Sequence, residues 1–245
     1  MKLIAMIPAR WASSRFPGKP LVPILGRPMI EHVYRRALAI PGVDDVLVAT
    51  DHLEIQRAVL EFGGQVVMTG SYHLSGSDRL AEAADLIGLA DEDIVVNVQG
   101  DQPAFDPEHA ARLARPLRED PGLDMSTLAL PLSNTKEIHS PNHVKVAFNR
   151  DHLAVYFSRA PIPWPRDGEE DYYRHVGLYA YRARFLRRFV ALPEGRLERI
   201  ERLEQLRALE NGARIKIVMA TGLSPEVDIP ADIQAAEEAL RLADN

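Results

Sequence analysis

Cysteine is absent from this chain of 245 residues. A chain without thiols has no disulfide, no thiolate zinc site, no iron–sulfur cluster and no cysteine nucleophile. Long apolar runs are missing as well, since no stretch approaches the roughly 18 residues that a membrane span requires. The first apolar run, Leu3–Ile7, is short and is soon followed by Arg10, unlike a secretory signal. We expect a protein of the reducing cytoplasm without membrane insertion.

Basic charge is not in surplus either. The chain has 29 basic and 35 acidic residues, a formal net charge of −6. Proteins that bind nucleic acids usually carry clustered positive charge to neutralise phosphates, so we expect no nucleic-acid partner. The glycine-rich motifs G-x-G-x-x-G and G-x-x-x-x-G-K-[ST] are also absent, which argues against a dinucleotide fingerprint and a P-loop.

Strand-like and helix-like segments alternate over the first hundred residues. This order predicts a parallel sheet with helices on both faces. The predicted strands are Leu3–Ile7, Val46–Ala49, Gln65–Met68 and Ile94–Val98. The predicted helices between them are Pro28–Ile40, His52–Phe62 and Asp78–Ile87.

The pattern changes near Asp124, where three strand-like segments follow one another. Later segments predict a charged helix, a strand and a final helix. The first three are Met125–Leu130, Val144–Phe148 and Leu153–Ser158, and the later ones are Leu197–Glu210, Ile215–Met219 and Pro230–Ala243. We therefore predict one α/β domain, residues 1–245, of a Rossmann-like, mostly parallel architecture. An antiparallel lobe is inserted at about residues 124–182.

Three cations follow the first predicted strand. Arg10, Arg15 and Lys19 lie within ten residues, on a loop that also has two serines and a glycine. In open α/β sheets, ligands bind beyond the carboxyl ends of the strands. Guanidinium and ammonium groups at that place would suit a polyphosphate. The alternative is a solvated basic loop.

Two aspartates occupy comparable positions. Asp101 follows the predicted strand Ile94–Val98, and Asp228 precedes the last predicted helix. Mg²⁺ sites commonly use one or two carboxylates together with substrate phosphates, so the pair could form such a site. The alternatives are a turn or a cap for a helix starting at Pro107 in the case of Asp101, and an N-cap in the case of Asp228.

Some scattered polar residues carry no signal by spacing alone. A lone histidine or tyrosine is more often structural than catalytic, and Glu204 lies in a charged run that ion pairs along a helix would explain. These residues are Arg79, Gln99, His175, Tyr179, Glu204 and Gln205.

Several motifs in order carry a resemblance. The opening run Ile7–Leu21 closely resembles that of the 3-deoxy-manno-octulosonate cytidylyltransferases, the CMP-Kdo synthetase family, and the match extends over nearly the whole chain. The further matching runs are Ala49–His52, His73–Glu82, Asn97–Asp101, Tyr156–Trp164, Arg174–Arg182, Leu203–Arg207 and Val227–Asp228.

The resemblance implies a CTP-dependent reaction. The anomeric hydroxyl of Kdo would attack the α-phosphorus of CTP and give CMP-Kdo and pyrophosphate for lipopolysaccharide synthesis. Catalytic roles would fall to Arg10, Arg15, Lys19, Asp101 and Asp228. CTP would be bound by Ala9, Arg10, Ser13, Arg15, Lys19, Thr50, Asp51, Ser75 and Gly76. The sugar would be bound by Arg79, Gln99, His175, Tyr179, Glu204 and Gln205. Asp101 and Asp228 would hold Mg²⁺.

Departures from the family pattern bear on the substrate. Gln102 stands where glutamate is common, which removes a carboxylate, and Ile229 replaces the usual threonine, which removes a hydroxyl cap. Ser77-Asp78 is a milder change from Thr-Glu. An 8-amino analogue of Kdo is therefore an alternative substrate, and a sialic-type acid is another.

Two further expectations follow from the resemblance. A non-catalytic nucleotide-binding homologue is the alternative of another class, although the charged residues that such a protein would lose are present. The family also implies a homodimer, with the contact in Met125–Ser158.

Overall fold

The structure is a computed structural model and describes residues 1–11, 16–167, 171–222 and 224–243. The strands are β1 (Leu3–Ala9), β2 (Pro23–Ile24), β3 (Arg27–Pro28), β4 (Asp45–Thr50), β5 (Val66–Met68), β6 (Ile94–Asn97), β7 (Met125–Leu132), β8 (Lys145–Phe148), β9 (Ala154–Ser158), β10 (Tyr172–Arg182) and β11 (Ile215–Met219). The helices are α1 (Met29–Leu38), α2 (Leu53–Glu61), α3 (Gly76–Leu86), α4 (Pro107–Glu119), α5 (Thr135–His139), α6 (Ala183–Val190), α7 (Arg196–Glu201), α8 (Gln205–Glu210) and α9 (Ile233–Ala243). Short 3₁₀ turns lie at Lys19–Leu21 and Pro230–Asp232.

One large sheet organises the described residues. Its strands follow the order β11-β7-β10-β6-β1-β4-β5. The pairs β6-β1, β1-β4, β4-β5 and β11-β7 are parallel, whereas β10 runs antiparallel between β6 and β7. The predicted α/β class with a mostly parallel sheet is confirmed.

Both faces of the sheet are covered, as the continuous apolar character of β1 predicts. Leu3 and Ile7 point into one core cluster, together with residues of α1, α2 and α4. Ile4 and Met6 point into a second cluster, together with residues of α3, α6 and α8. Successive strand residues face opposite sides, so a strand covered on both faces needs an apolar residue at every position.

The strands between residues 124 and 182 do not form one inserted lobe as predicted, because two of them belong to the main sheet and two form a hairpin. The first and last of these strands, β7 and β10, are paired along their length inside the main sheet. The hairpin of β8 and β9 extends off that path and joins it through the pairing of Arg174 with Lys145. The sequence pattern predicted β7, β8 and β9 but missed β10, the 11-residue strand that pairs with both β6 and β7.

The predicted helix at Leu197–Glu210 is in fact two helices, α7 and α8. Arg202 between them adopts a left-handed conformation with φ of 55°. The break allows Leu203 to be buried at 7% exposure and turns Glu204 back toward α3, where Ser77 donates a hydrogen bond to it at 3.0 Å. Tertiary contacts thus override the local helical pattern.

None of the helices in the described ranges is both long enough and apolar enough to cross a membrane.

Candidate active site

The carboxyl ends of three parallel strands meet at one edge of the sheet. Arg10 follows β1, Asp51 follows β4, and Asp101 lies four residues beyond β6. Gly100 permits the close approach of two of these ends, since a Cβ at this position would lie 3.0 Å from the carbonyl oxygen of Pro8. This edge is the expected ligand site of an open α/β sheet.

A cleft of about 240 Å³ opens at this edge. It gathers residues from the first loop, the start of α3, the segment after β6 and the segment before the last helix. The lining residues are Pro8, Ala9, Arg10, Lys19, Pro20, His73, Leu74, Ser75, Gly76, Arg79, Gln99, Gly100, Asp101 and Asp228.

Lys19 joins the two predicted metal ligands. Its Nζ donates to Asp101 Oδ2 at 2.9 Å and lies 3.3 Å from Asp228 Oδ1. The ammonium side chain is only 15% exposed, while the two carboxylates are 31% and 37% exposed. The structure therefore brings together one cation and two carboxylates that are 82 and 209 residues away from it in sequence.

Backbone contacts hold the segment that carries Asp228 against Asp101. The N–H of Val227 donates to the carbonyl oxygen of Asp101 at 2.9 Å, and Gln102 Nε2 donates to Glu226 Oε1 at 3.0 Å. Burial and, after it, the charge of Asp101 raise the pKa of Glu226. Gln102, which replaces the glutamate common in the family, therefore has a carboxylate beside it, that of Glu226. No local pattern indicates this contact, because 124 residues separate the two.

Both capping alternatives are assigned to other residues. Asp106, not Asp101, caps α4 and accepts from the N–H of Glu108 at 2.9 Å. Asp232 accepts from the N–H groups of Asp228 and Ile229 at 2.8 and 2.9 Å, and these bonds stabilise the start of the last helical segment. The capping hydrogen bonds seen at these two helical segments are accepted by Asp106 and Asp232.

The start of α3 forms the nucleoside side of the predicted site. Ser75 Oγ accepts from the N–H of Asp78 at 3.1 Å, and Asp78 in turn accepts from the N–H of Ser75, a capping box. Gly76 packs against Pro8, where a Cβ would lie 3.4 Å from the ring. Of the two residues at the Ser77-Asp78 departure, Asp78 forms this cap, whereas Ser77 donates to Glu204.

Arg79 is buried and already has partners. Its guanidinium contacts Asp51 Oδ2 at 3.1 Å and Thr69 Oγ1 at 2.6 Å. Thr50 is fully buried, and its hydroxyl accepts from the N–H of His52 at 3.2 Å. These contacts indicate that Arg79 orients Asp51. Its role as partner of a sugar carboxylate stays a prediction.

A second polar group lies behind the cleft, among α3, β10 and the start of α8. Within the described residues, Glu204 Oε1 and Gln205 Nε2 are buried without a hydrogen-bond partner, although the Arg207 guanidinium lies 3.7 Å from that oxygen. Burial raises the pKa of Glu204, and it raises that of the buried Tyr179 well above the usual value. Buried polar atoms normally have partners, so these atoms indicate a place for a polar ligand. Gln99 connects the group to the cleft through the carbonyl oxygen of Gly177, 3.3 Å from its amide.

His175 is a neutral imidazole. Burial, and secondarily the charge of Arg174, lowers its pKa from 6.5 to about 3. Its Nε2 lies 3.0 Å from Thr127 Oγ1, and that hydroxyl donates to the carbonyl oxygen of Leu178 at 2.9 Å. Because the hydroxyl proton is used there, we assign the ring proton to Nε2, which leaves Nδ1 as an acceptor.

The buried His175 makes stability depend on pH. Its pKa is lower in the folded state than in the unfolded chain, so its contribution is complete above pH 6.5 and is lost as the pH falls. We expect the free energy of unfolding to lose about 1.4 kcal/mol per pH unit below 6.5 from this group. Denaturant titrations at several pH values between 5 and 7 give the free energy of unfolding as a function of pH. This free energy should depend less steeply on pH for His175→Gln than for the exposed control His139→Gln. Equal slopes would contradict this prediction.

A larger cavity of about 470 Å³ lies beside the site. His175 borders it, together with Arg174, Glu226 and His109, but none of the predicted phosphate or metal residues does. The smaller cleft is therefore the candidate active site. Ser13 and Arg15 lie outside the described residues. His73, which contacts Glu82, also lines the cleft; the motif His73–Glu82 marked its segment but gave no signal for this residue in particular.

The donor set at the cleft fits a hard cation. Asp101 and Asp228 supply carboxylate oxygens, the ligands that Mg²⁺ prefers, and both contact the positive charge of Lys19. No group of three or more histidine, aspartate and glutamate ligands occurs in the described part of the chain. A site made of two carboxylates leaves coordination positions for phosphate oxygens and water.

Comparison with known proteins agrees with the geometry. The cytidylyltransferase family model matches residues 4–217. The 3-deoxy-manno-octulosonate cytidylyltransferase of Syntrophus aciditrophicus (strain SB) is 52% identical over 241 residues, with 98% of this chain and 97% of the relative covered. The 8-amino-3,8-dideoxy-manno-octulosonate cytidylyltransferase of Shewanella amazonensis (strain ATCC BAA-1098 / SB2B) is 50% identical over 244 residues, which cover 99% and 100%.

Solved structures give the same result. The structure of a CMP:2-keto-3-deoxy-manno-octonic acid synthetase complexed with CTP matches with a TM-score of 0.94 and 43% identity, over 99% of both chains. A 4-diphosphocytidyl-2C-methyl-D-erythritol synthase, at 17% identity and a TM-score of 0.66, shares the fold. This chain belongs to the CMP-Kdo synthetase family of cytidylyltransferases.

Proposed function

We propose that this chain transfers CMP from CTP to the anomeric hydroxyl of Kdo, which gives CMP-Kdo and pyrophosphate for lipopolysaccharide synthesis. The observation that carries the proposal is the contact of Lys19 with Asp101 and Asp228 at the carboxyl edge of the sheet. The chain that makes this contact is 52% identical to a protein named for this activity.

Cations at the cleft would serve the triphosphate. Lys19 and Arg10 line the cleft, and Ser13 and Arg15 belong to the same stretch of sequence. The transfer needs alignment of the attacking hydroxyl with the α-phosphorus and stabilisation of charge on the leaving pyrophosphate, with little covalent chemistry from the protein. Lys19, a compact charge held at low exposure, is placed to stabilise that developing charge.

Asp101 and Asp228 would hold Mg²⁺. When bound, the ion supplies compensation for phosphate charge. Before the ion and nucleotide arrive, Lys19 neutralises part of the repulsion between the two carboxylates. We name no general base among the residues at the cleft.

Polar atoms behind the cleft would bind the sugar acid. Glu204 Oε1 and Gln205 Nε2 offer an acceptor and a donor, and His175 Nδ1 offers another acceptor. Gln99 lines the cleft, and the ring of Tyr179 lies 5.5 Å from that of His175. The predicted nucleoside residues, Thr50, Asp51, Ser75 and Gly76, lie on the β4 and α3 side.

The substrate is tested by measuring pyrophosphate release from CTP and Mg²⁺ with Kdo, its 8-amino analogue and sialic acid in parallel. We expect release with Kdo and none with sialic acid. The 8-amino analogue is the second candidate because a relative named for it is 50% identical, and a higher rate with it than with Kdo would replace Kdo in the proposal. If the protein binds CTP but releases no pyrophosphate with any of the three sugars, a non-catalytic homologue would be favoured.

We also infer a cytoplasmic homodimer with its contact in Met125–Ser158. Val155 of β9 is 63% exposed, an apolar side chain on the hairpin that extends from the sheet. Light scattering after size exclusion should give about twice the mass of the chain. A monomer at micromolar concentration would refute the dimer.

A further inference from the structure

Trp11 links the loop after β1 to two other parts of the site. Its ring stacks on that of His52, with centroids 4.2 Å apart and planes at 13°. The same indole lies over Gly18, where a Cβ would be 3.3 Å from a ring carbon. The backbone carbonyl of Trp11 accepts from the N–H of Gly18 at 3.2 Å. One residue thus contacts both the residue before Lys19 and the start of α2.

Gly18 determines how the chain enters the turn that carries Lys19. Its φ of +71° is left-handed, a conformation that glycine adopts without strain. Its carbonyl oxygen accepts from the N–H of Leu21 at 2.9 Å and closes the 3₁₀ turn at Lys19–Leu21. The position of Gly18 therefore determines the point from which Lys19 reaches Asp101.

His52 gives the indole a fixed platform. Its Nδ1 accepts from the N–H of Glu54 at 3.3 Å and caps α2, while its own N–H donates to Thr50 Oγ1 at 3.2 Å. The imidazole cannot turn away without losing the cap, so it anchors Trp11 to the end of β4.

We propose that Trp11 and His52 are positioning residues for the nucleotide. The stack and the hydrogen bond from Gly18 to Trp11 fix Trp11 beside Gly18 and so hold the neighbouring Arg10 and Lys19 at the cleft. Neither ring lines the cleft, so both act through those two cations. The inference rests on the proposed function, because it requires that the cleft binds CTP.

A matched pair of histidine variants tests the stack. His52→Asn keeps an N-cap side chain, since asparagine is a preferred cap, but removes the ring. His152 also stacks on an aromatic ring, Phe148, at 5.2 Å, and has a φ of 55° that asparagine tolerates. His152→Asn is therefore the control. We expect His52→Asn to raise the KM for CTP and the Kd for CTP alone about fivefold to tenfold, the factor that an aromatic pair is worth. The KM for the sugar should change less than twofold, and His152→Asn should leave all three constants unchanged.

Variants of the other two partners perturb the same contact independently. Trp11→Leu should raise the KM for CTP to the same extent, and Trp11→Phe, which keeps a stacking ring, should restore most of it. Gly18→Ala adds a Cβ against the indole and should weaken CTP binding although it removes no side chain.

Trp11 and Trp164 are the two tryptophans of the chain, so Trp164→Phe leaves Trp11 as the one tryptophan that fluoresces. Both His52→Asn and Gly18→Ala change the surroundings of this indole, so both should shift its emission maximum.

The outcomes separate this inference from the proposed function. If the parent protein fails to bind CTP in calorimetry, the proposed function is wrong and the inference falls with it. If the parent binds CTP and the His52→Asn and Gly18→Ala proteins bind it equally well, the inference alone is overturned. A lower melting temperature with an unchanged KM for CTP would show a purely structural stack and would also overturn it. Should Trp11→Leu fail to fold, the other two variants decide the matter.

Discussion

Replacement of Lys19 by methionine should lower the kcat for pyrophosphate release by about 100-fold to 1,000-fold. Methionine keeps the length of the side chain and removes the charge. Lys19 Nζ contacts Asp101 Oδ2 at 2.9 Å and Asp228 Oδ1 at 3.3 Å. The charge that develops on the leaving pyrophosphate would then lose a cation whose side chain is only 15% exposed. Steady-state release from saturating CTP and Kdo measures the effect.

Two further variants make the Lys19 experiment specific. Lys19→Arg keeps the charge but spreads it over a planar fork, so we expect it to recover only part of the rate. Lys2→Met removes the charge of an exposed lysine just before β1 and should leave kcat unchanged. A Lys19→Met protein that turns over at the parent rate, with an unchanged melting temperature, would refute the role of this lysine.

Neutralisation of either predicted metal ligand should have an effect of similar or greater size. Asp101→Asn and Asp228→Asn each remove one charge while they keep the shape of the side chain. We expect each to lower kcat/KM by about a thousandfold, because metal charge compensation is worth several kcal/mol in such transfers. The Mg²⁺ concentration for half-maximal rate should rise as well.

Direct metal binding provides a readout independent of turnover. Mn²⁺ titrated into the protein with CTP but without sugar, and followed by electron paramagnetic resonance, should bind the parent more tightly than either variant. Asp106→Asn is the matched control, since Asp106 caps α4 and asparagine preserves the cap. Full Mg²⁺-dependent turnover in the Asp101→Asn or Asp228→Asn protein would show that the assignment of the metal ligands is wrong.

Periodic segments were predictable because local pattern and tertiary environment agree there. The apolar run of β1 indicated a strand covered on both faces, and the residues of β1 do alternate between two core clusters. The predicted strand Ile215–Met219 matches β11 residue for residue. In such elements the spacing of apolar residues along the chain matches which residues are buried, so a single sequence is enough to predict the element.

Local pattern failed where a distant contact decides the backbone. Helical spacing over Leu197–Glu210 gave no sign of the left-handed residue Arg202, because the break is stabilised by the burial of Leu203 and the bond from Ser77 to Glu204. The capping role considered for Asp228 was equally reasonable by position. The N-cap position is instead Ile229, and Asp232, in the following turn, accepts from the N–H groups of Asp228 and Ile229.

The sequence by itself determined the fold class, the alternation of strands and helices over the first hundred residues, and the family, because these depend on periodicity and on motifs that are contiguous in the chain. It also marked Arg10, Lys19, Asp101 and Asp228 as residues that follow or precede elements at the ligand edge. Only the tertiary structure decided that Lys19 contacts both carboxylates, that Arg79 pairs with Asp51, and that Glu226 lies beside Gln102. Each of these contacts joins segments far apart in sequence. Their geometry follows from how the sheet brings its strand ends together, and no local pattern encodes it.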